Sequence, residues 1–425
     1  MLTLLLVLIT VLILIRHGSM FAPSAFFSLY WSIYALFTGF AFGWQWMNSL
    51  LFLFLMMAIA AVAFGDEFGL QVRETNIESQ SSTNWLAWRA LSLAALIGAF
   101  IHVFVLVTTE GYSVKALLSL DGILDAATSF SRGRYDGTYR EHFVARIFLP
   151  CVFLCPLLIG HLLGARACHP RYRFVWLFLA IAPALAIAAV KTEKWPLAAA
   201  VSFAGSSFLV SRHFLEGEPV PSLRYFCTGL AGLVSLITVS IIACAFRLGS
   251  VSSDSFATAW DKLLSTAGSL IAFSNWLESY SFENRLGWGC NTFAGAFNAM
   301  GVATREQGLY RSFIELPNGE TTNVFTFLRP LIDDFSIFGA MLYLFMIGFI
   351  WRLGMRRRWA APTVFLIASC ILSFNTSLFV HNSFPIAFLV YLGVVHLCGQ
   401  SEDPYDDVYE DAYEDVCEES FAVSS

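Results

Sequence analysis

Apolar runs near the roughly 20 residues needed to cross a bilayer recur along this chain, separated by short polar breaks. They fall near 1–16, 20–43, 46–64, 85–109, 143–164, 173–190, 195–211, 225–247, 331–351, 361–380 and 384–398, and predict about eleven transmembrane helices. Barrel strands would be about 10 residues long and would alternate polar with apolar, so a transmembrane barrel is excluded. Composition agrees: 57% of residues are hydrophobic and only 13% are charged, outside the soluble range. The expected fold is all-α, a polytopic integral membrane protein with its transmembrane domain over 1–400.

Arginines in the short connections set the orientation. Arg16, Arg73, the group Arg166, Arg171 and Arg173, the pair Arg212 and Arg224, and the cluster Arg352, Arg356, Arg357 and Arg358 fall on one side under these spans. The positive-inside rule makes that side cytoplasmic and puts the N-terminus outside. The first span has no basic residue before it and Arg16 directly after it, so it reads as an anchor and not as a cleaved signal peptide. The segment 401–425 has ten carboxylates and no basic residue, which predicts a disordered acidic tail on the cytoplasmic side. Nine cysteines form no CxxC pair and no His/Cys cluster, so neither a metal centre nor a disulfide scaffold is expected.

Two long segments remain on the extracytoplasmic face, 110–142 and 248–330. Both carry cations where the topology rule predicts a deficit: Arg132, Arg134 and Arg140 in the first, and Arg247, Arg285, Arg305, Arg311 and Arg329 in or beside the second. The short turn KTEKWP adds Lys191 and Lys194. Arginine offers a planar fork matched to phosphate oxygens, so a phosphorylated or pyrophosphorylated ligand accounts for them together. Taken singly, each is equally explained by pairing with lipid phosphates or with carboxylates such as Asp136, Glu141 and Glu283. His102 within its span reads as a core histidine.

The second loop has internal structure. LLSTAGSLIAFSNWLESY is amphipathic, with Leu264, Ala267, Ile271, Phe273 and Trp276 on one face of a helix expected to lie along the membrane surface. Gly287 and Gly289 permit a tight turn or a close approach. Pro317-Asn318-Gly319 is a turn signal, after which TTNVFTFLRPLIDDF returns to the bilayer. Pro330 biases Arg329 toward an extended conformation. Asp333 and Asp334 then fall in the first helical turn, where one of them serves at least as a cap.

The order GWGCNTF, then TNVFTFLRPLIDDF, then a glycine-containing span resembles the bacterial oligosaccharide repeat-unit polymerases, the Wzy-type O-antigen and capsule polymerases. Their pattern elements G-x-x-T-F and N-V-[YF]-T…D-F-G-x-x-G correspond to Gly289–Phe293 and to Asn323–Gly339 here. The resemblance covers roughly 262–340. Ser336 stands where the family commonly has glycine after Asp-Phe, which makes the backbone there a question for the structure.

The resemblance implies an inner-membrane glycosyltransferase that joins undecaprenyl pyrophosphate-linked repeat units on the periplasmic face. Arg132, Arg134, Arg140, Arg285 and Arg329 would then hold the pyrophosphate. Asp334, Asp333 and Glu283, in that order, are candidates for the base that takes the proton of the attacking hydroxyl. Trp276, Trp288 and Asn291 are candidates for sugar contact; interfacial anchoring explains the tryptophans as well. The expected partners are the lipid-linked glycan donor and acceptor, membrane lipids and a chain-length regulator, with no cofactor, no metal and no nucleic acid. One alternative is an O-antigen ligase, which is associated with a histidine in the large loop; 248–330 has none, though His381 lies in a short external turn. A lipid-linked oligosaccharide flippase is the other alternative, and its class favours mid-span charge and repeated halves that this chain lacks.

Overall fold

The computed structural model describes residues 2–72, 84–113, 115, 119–136, 139–216, 237–246, 252–281, 286–302, 310, 312–375 and 377–398. The acidic tail and the expectations on Arg73, Arg224, Arg247, Glu283, Arg285, Arg305 and Arg311 lie outside the described residues. The protein is an all-α bundle, with one minimal hairpin pairing β1 (Ile314–Glu315) and β2 (Thr321–Thr322).

The helices in chain order are α1 Leu2–His17, α2 Pro23–Phe42, α3 Ser49–Gln71, α4 Trp85–Thr109, α5 Leu120–Tyr135, α6 Phe143–Gly164, α7 Arg173–Lys191, α8 Lys194–Glu216, α9 Ile237–Phe246, α10 Ser253–Ala267, α11 Ser269–Glu278, α12 Ala294–Ala299, α13 Leu328–Arg356, α14 Ala360–Leu372 and α15 Ser383–Cys398. Six are long and apolar enough to cross a membrane: α2, α3, α4, α6, α7 with the turn before it, and α13. Local signals set their ends. Asn48 caps α3 by accepting from Leu51 N at 2.8 Å, and Asn84 caps α4 by accepting from Ala87 N at 3.0 Å.

Small residues let the two central helices touch. A Cβ on Gly65 of α3 would lie 1.9 Å from the Phe345 carbonyl oxygen, and one on Gly348 of α13 would lie 2.2 Å from that of Val62. Without a hydrophobic drive between helices in lipid, such backbone approach supplies the packing. At one end of this pair sits Asp66, wholly buried, which accepts from Arg352 Nε and from Ser24 N and Oγ. His17 reaches Ser24 Oγ at 3.0 Å, Arg16 pairs with Glu67 at 2.9 Å, and Arg356 donates to the Gly69, Leu70 and Val72 carbonyls at the end of α3. Arg16, Arg352 and Arg356 therefore share one end of the bundle.

Two expectations about helices change. The run 361–380 is not one helix: α14 stops at Leu372, and the Ser373 and Phe374 carbonyls are taken by Phe327 N at 2.9 Å and Ser269 Oγ at 2.6 Å. The amphipathic run does not lie on a surface. It breaks at Gly268, and α11 is inserted in the bundle with Ser269, Leu270, Ile271, Ala272, Phe273, Ser274 and Leu277 buried. Its polar side is tolerated because Ser269 meets Tyr34 Oη at 2.6 Å and Ser274 is held by Asn48 N at 3.0 Å. Burial was thus decided by partners on α2 and α3, not by the periodicity of the run.

Candidate functional site at the break in α13

Helix α13 is broken. Ser336 has φ 64° and ψ 176°, a region that essentially only glycine occupies without strain. The break leaves the Asp333 and Asp334 carbonyls free, and the GWG turn fills the places that the amides of Ile337 and Phe338 would take in an unbroken helix. Gly287 N donates to Asp333 O at 2.9 Å and Trp288 N to Asp334 O at 3.2 Å. Gly287 must be glycine, because a Cβ there would lie 2.3 Å from Asp334 Oδ1. Because the strained position lacks the glycine that the resemblance leads one to expect, Ser336→Gly is expected to stabilise the protein by about 1 kcal/mol, read as a rise in Tm.

The helix starts at Leu328, so Pro330 lies inside its first turn, where its missing N–H would in any case have no partner. Arg329 is therefore helical, not extended, and the two aspartates stand near the break, not in the first turn. They face different surroundings. Asp334 is fully buried and its carboxylate is saturated: Asn291 N donates to both oxygens at 3.1 and 3.2 Å, Asn291 Nδ2 to Oδ1 at 2.9 Å, and Thr292 N to Oδ2 at 2.5 Å. It pins the CNT segment to α13 and has little capacity left for a proton in flight.

Asp333 is partly exposed. Tyr310 donates to its Oδ2 at 2.9 Å and Arg329 Nε lies 3.5 Å from the same oxygen, while Oδ1 has no hydrogen-bond partner among the described residues. Burial raises the Tyr310 phenol well above its usual range, and the Asp333 charge adds to this, so Tyr310 acts as a neutral donor. The Arg329 guanidinium carbon lies 3.6 Å from the Tyr310 ring centroid, 3.9 Å from that of Phe325 and 5.2 Å from that of Trp276. Inside this aromatic cage Nη1 is buried without a hydrogen-bond partner among the described residues, and Nε has none there closer than Asp333 Oδ2. Buried guanidinium donors left open are costly, and an anionic oxygen is the group that satisfies them.

Sequence-predicted residues divide accordingly. Arg329, Asp333, Asp334, Asn291 and Trp276 come together. Trp276 wraps Arg329 and stacks on Phe273 at 5.7 Å; Asn291 is committed to Asp334; Trp288 joins through its backbone, with its indole exposed. Arg132 lies on α5, which packs on α7 and buries Ala126, Ala127 and Phe130. Arg132 and Arg140 are exposed, and no hydrogen bond or ion pair joins either to Arg329 or to the aspartates. For Arg134 only the backbone, in α5, is described. Lys191 is buried between Glu141 at 3.6 Å and Glu193 at 3.5 Å, so local carboxylates account for this cation. His102 is a core histidine bonded to Ala145 O at 2.7 Å.

Phe325 and Asn323 are functional neighbours that residue-type reasoning passes over. Asn323 holds the Tyr310 carbonyl at 3.2 Å, and Phe325 closes the cage. The signal was present, since both belong to the NVFT element that carries part of the resemblance. Among the described residues no group of three or more His, Cys, Asp or Glu side chains is placed to hold a metal ion. No protein-family model, curated protein or solved structure matches the chain.

Proposed function

We propose that this protein is a membrane-embedded glycosyltransferase that polymerises undecaprenyl pyrophosphate-linked oligosaccharide repeat units, with the Arg329 end of the bundle facing the periplasm of a bacterial inner membrane. The observation that carries the proposal is the caged Arg329, whose Nη1 is buried without a hydrogen-bond partner among the described residues and whose Nε meets only Asp333 Oδ2, at 3.5 Å, beside an Asp333 Oδ1 that has no hydrogen-bond partner among them. An anion-binding donor next to a free base is what inversion or retention at a pyrophosphate-activated sugar needs on the protein side. The two motifs behind the family resemblance support the same reading, because they fold against each other at this point.

In this reading the hydroxyl of the acceptor sugar attacks the anomeric carbon of the donor glycan. The new C–O bond forms as the bond to the pyrophosphate oxygen breaks, and Asp333 Oδ1 takes the hydroxyl proton. Charge gathers on the departing polyprenyl pyrophosphate, where the preorganised Arg329 guanidinium stabilises it away from bulk water. Asp334 positions the CNT segment and takes no proton; this reverses the order in which the sequence ranks the two. The test is reconstitution of purified protein with undecaprenyl pyrophosphate-linked repeat units. Longer lipid-linked ladders support the proposal. Movement of the substrate across liposomes with no ladder would overturn it in favour of a flippase.

A further inference from the structure

The break at Ser336 divides α13 unequally. Residues 337–356 form a stretch that, at about 1.5 Å per residue, is roughly 30 Å long. That equals the hydrocarbon thickness of a typical bilayer, about 30 Å. Along it Phe338, Leu342, Met346 and Ile350 are exposed at four-residue spacing, from 81% at Phe338 to 38% at Ile350, and form an outward apolar row. At its far end lie Arg356, Arg357 and Arg358 with the exposed Trp359, over whose ring Arg357 sits at 5.2 Å.

The near end has a matching feature that belongs to a different part of the chain. Trp288 is 74% exposed although its backbone is docked on the break, and its φ of 50° is one that side chains seldom adopt. Its amide fills the place of the Phe338 amide, so its backbone lies at the end of the exposed row nearest the break, and its indole is exposed there. Tryptophan with one apolar body and one N–H is the side chain that marks bilayer interfaces, and the row then carries one at each end.

We propose that the outer boundary of the bilayer hydrocarbon passes at the Ser336 break, with the Trp288 indole seated in the phospholipid headgroup layer. The partner of this surface is the bilayer itself. Segment 328–335, with Arg329 and Asp333, then stands above the hydrocarbon at headgroup depth. This places Trp288 on lipid and not on a sugar face, and it holds whether or not the site performs glycosyl transfer, because only the position of the bilayer enters.

The test is tryptophan quenching in phosphatidylcholine vesicles brominated near the headgroup, at mid-chain or at the chain end. The emission that disappears in Trp288→Phe reports Trp288 alone. It is expected to be quenched at least twofold more by bromines near the headgroup than by those at the chain end, and to be shielded from aqueous iodide. A Leu342→Trp variant, whose new indole lies one turn deeper than Phe338, is expected to shift toward mid-chain quenching. Quenching by iodide with none by any brominated lipid overturns the proposal. So does a Leu342→Trp variant whose added emission over wild type is quenched more by bromines near the headgroup than by those at mid-chain, a reading that does not need the Trp288→Phe protein.

Discussion

Arg329→Ala is expected to lower chain elongation by a factor on the order of 100 to 1,000, with folded protein recovered in normal amount. In the proposed reaction the fall follows from the Arg329 guanidinium, whose Nη1 has no hydrogen-bond partner among the described residues, and no other cation lies in the cage among those residues. The fold survives because Tyr310, Phe325 and Trp276 pack on other residues as well, Tyr310 on Phe325 at 5.1 Å and Trp276 on Phe273. Stacking of a guanidinium on aromatic rings stabilises by only about 0.5–2 kcal/mol. Arg329→Lys is expected to fail to restore elongation, since an ammonium neither lies flat between rings nor presents a fork. Wild-type ladder length in Arg329→Ala membranes would contradict this role.

The two aspartates should separate under mutation. Asp333→Asn keeps the shape of the side chain and a partner for Tyr310 while removing the base, so elongation is expected to fall by roughly 100- to 10,000-fold with little change in Tm. Asp334→Ala strands the Asn291 and Thr292 amides in a buried place, each costing about 1–3 kcal/mol, and Tm is expected to fall clearly. Measuring Tm and elongation on both proteins checks the division. If Asp334→Ala were fully stable and inactive while Asp333→Asn elongated normally, the roles assigned to them would be exchanged.

That division was not legible in the sequence. Asp333 and Asp334 are adjacent and chemically identical; about 100° of helical rotation sends one to Tyr310 and the other to the amides of a loop more than forty residues earlier. Long apolar runs, by contrast, read in part, because a span needs only length and hydropathy: among the described residues six of the eleven runs carry a helix long and apolar enough to cross a membrane. The burial of α11 did not read, since the tolerance of Ser269 and Ser274 depends on Tyr34 and Asn48. Ser336 stood out by its departure from the family pattern, and the structure shows why: its backbone adopts the conformation for which glycine is suited.

The excess of cations on one face was legible as a count but not as an arrangement. Lys191 is paired with Glu141 and Glu193, and Arg132 and Arg140 are exposed; among these cations Arg329 alone is held with open donors beside a carboxylate. Of the pyrophosphate clamp expected from both loops, Arg329 is the arginine among the described side chains whose surroundings support the role; Arg285 and the Arg134 side chain lie outside them.

The most direct measurement is the count of polyprenyl pyrophosphate released for each glycosidic linkage formed in vesicles reconstituted with purified protein. The account predicts one released per linkage in the wild type, with release and linkage formation abolished together in Arg329→Ala and in Asp333→Asn. Linkage formation without release, or release that continues undiminished in both variants, would contradict it.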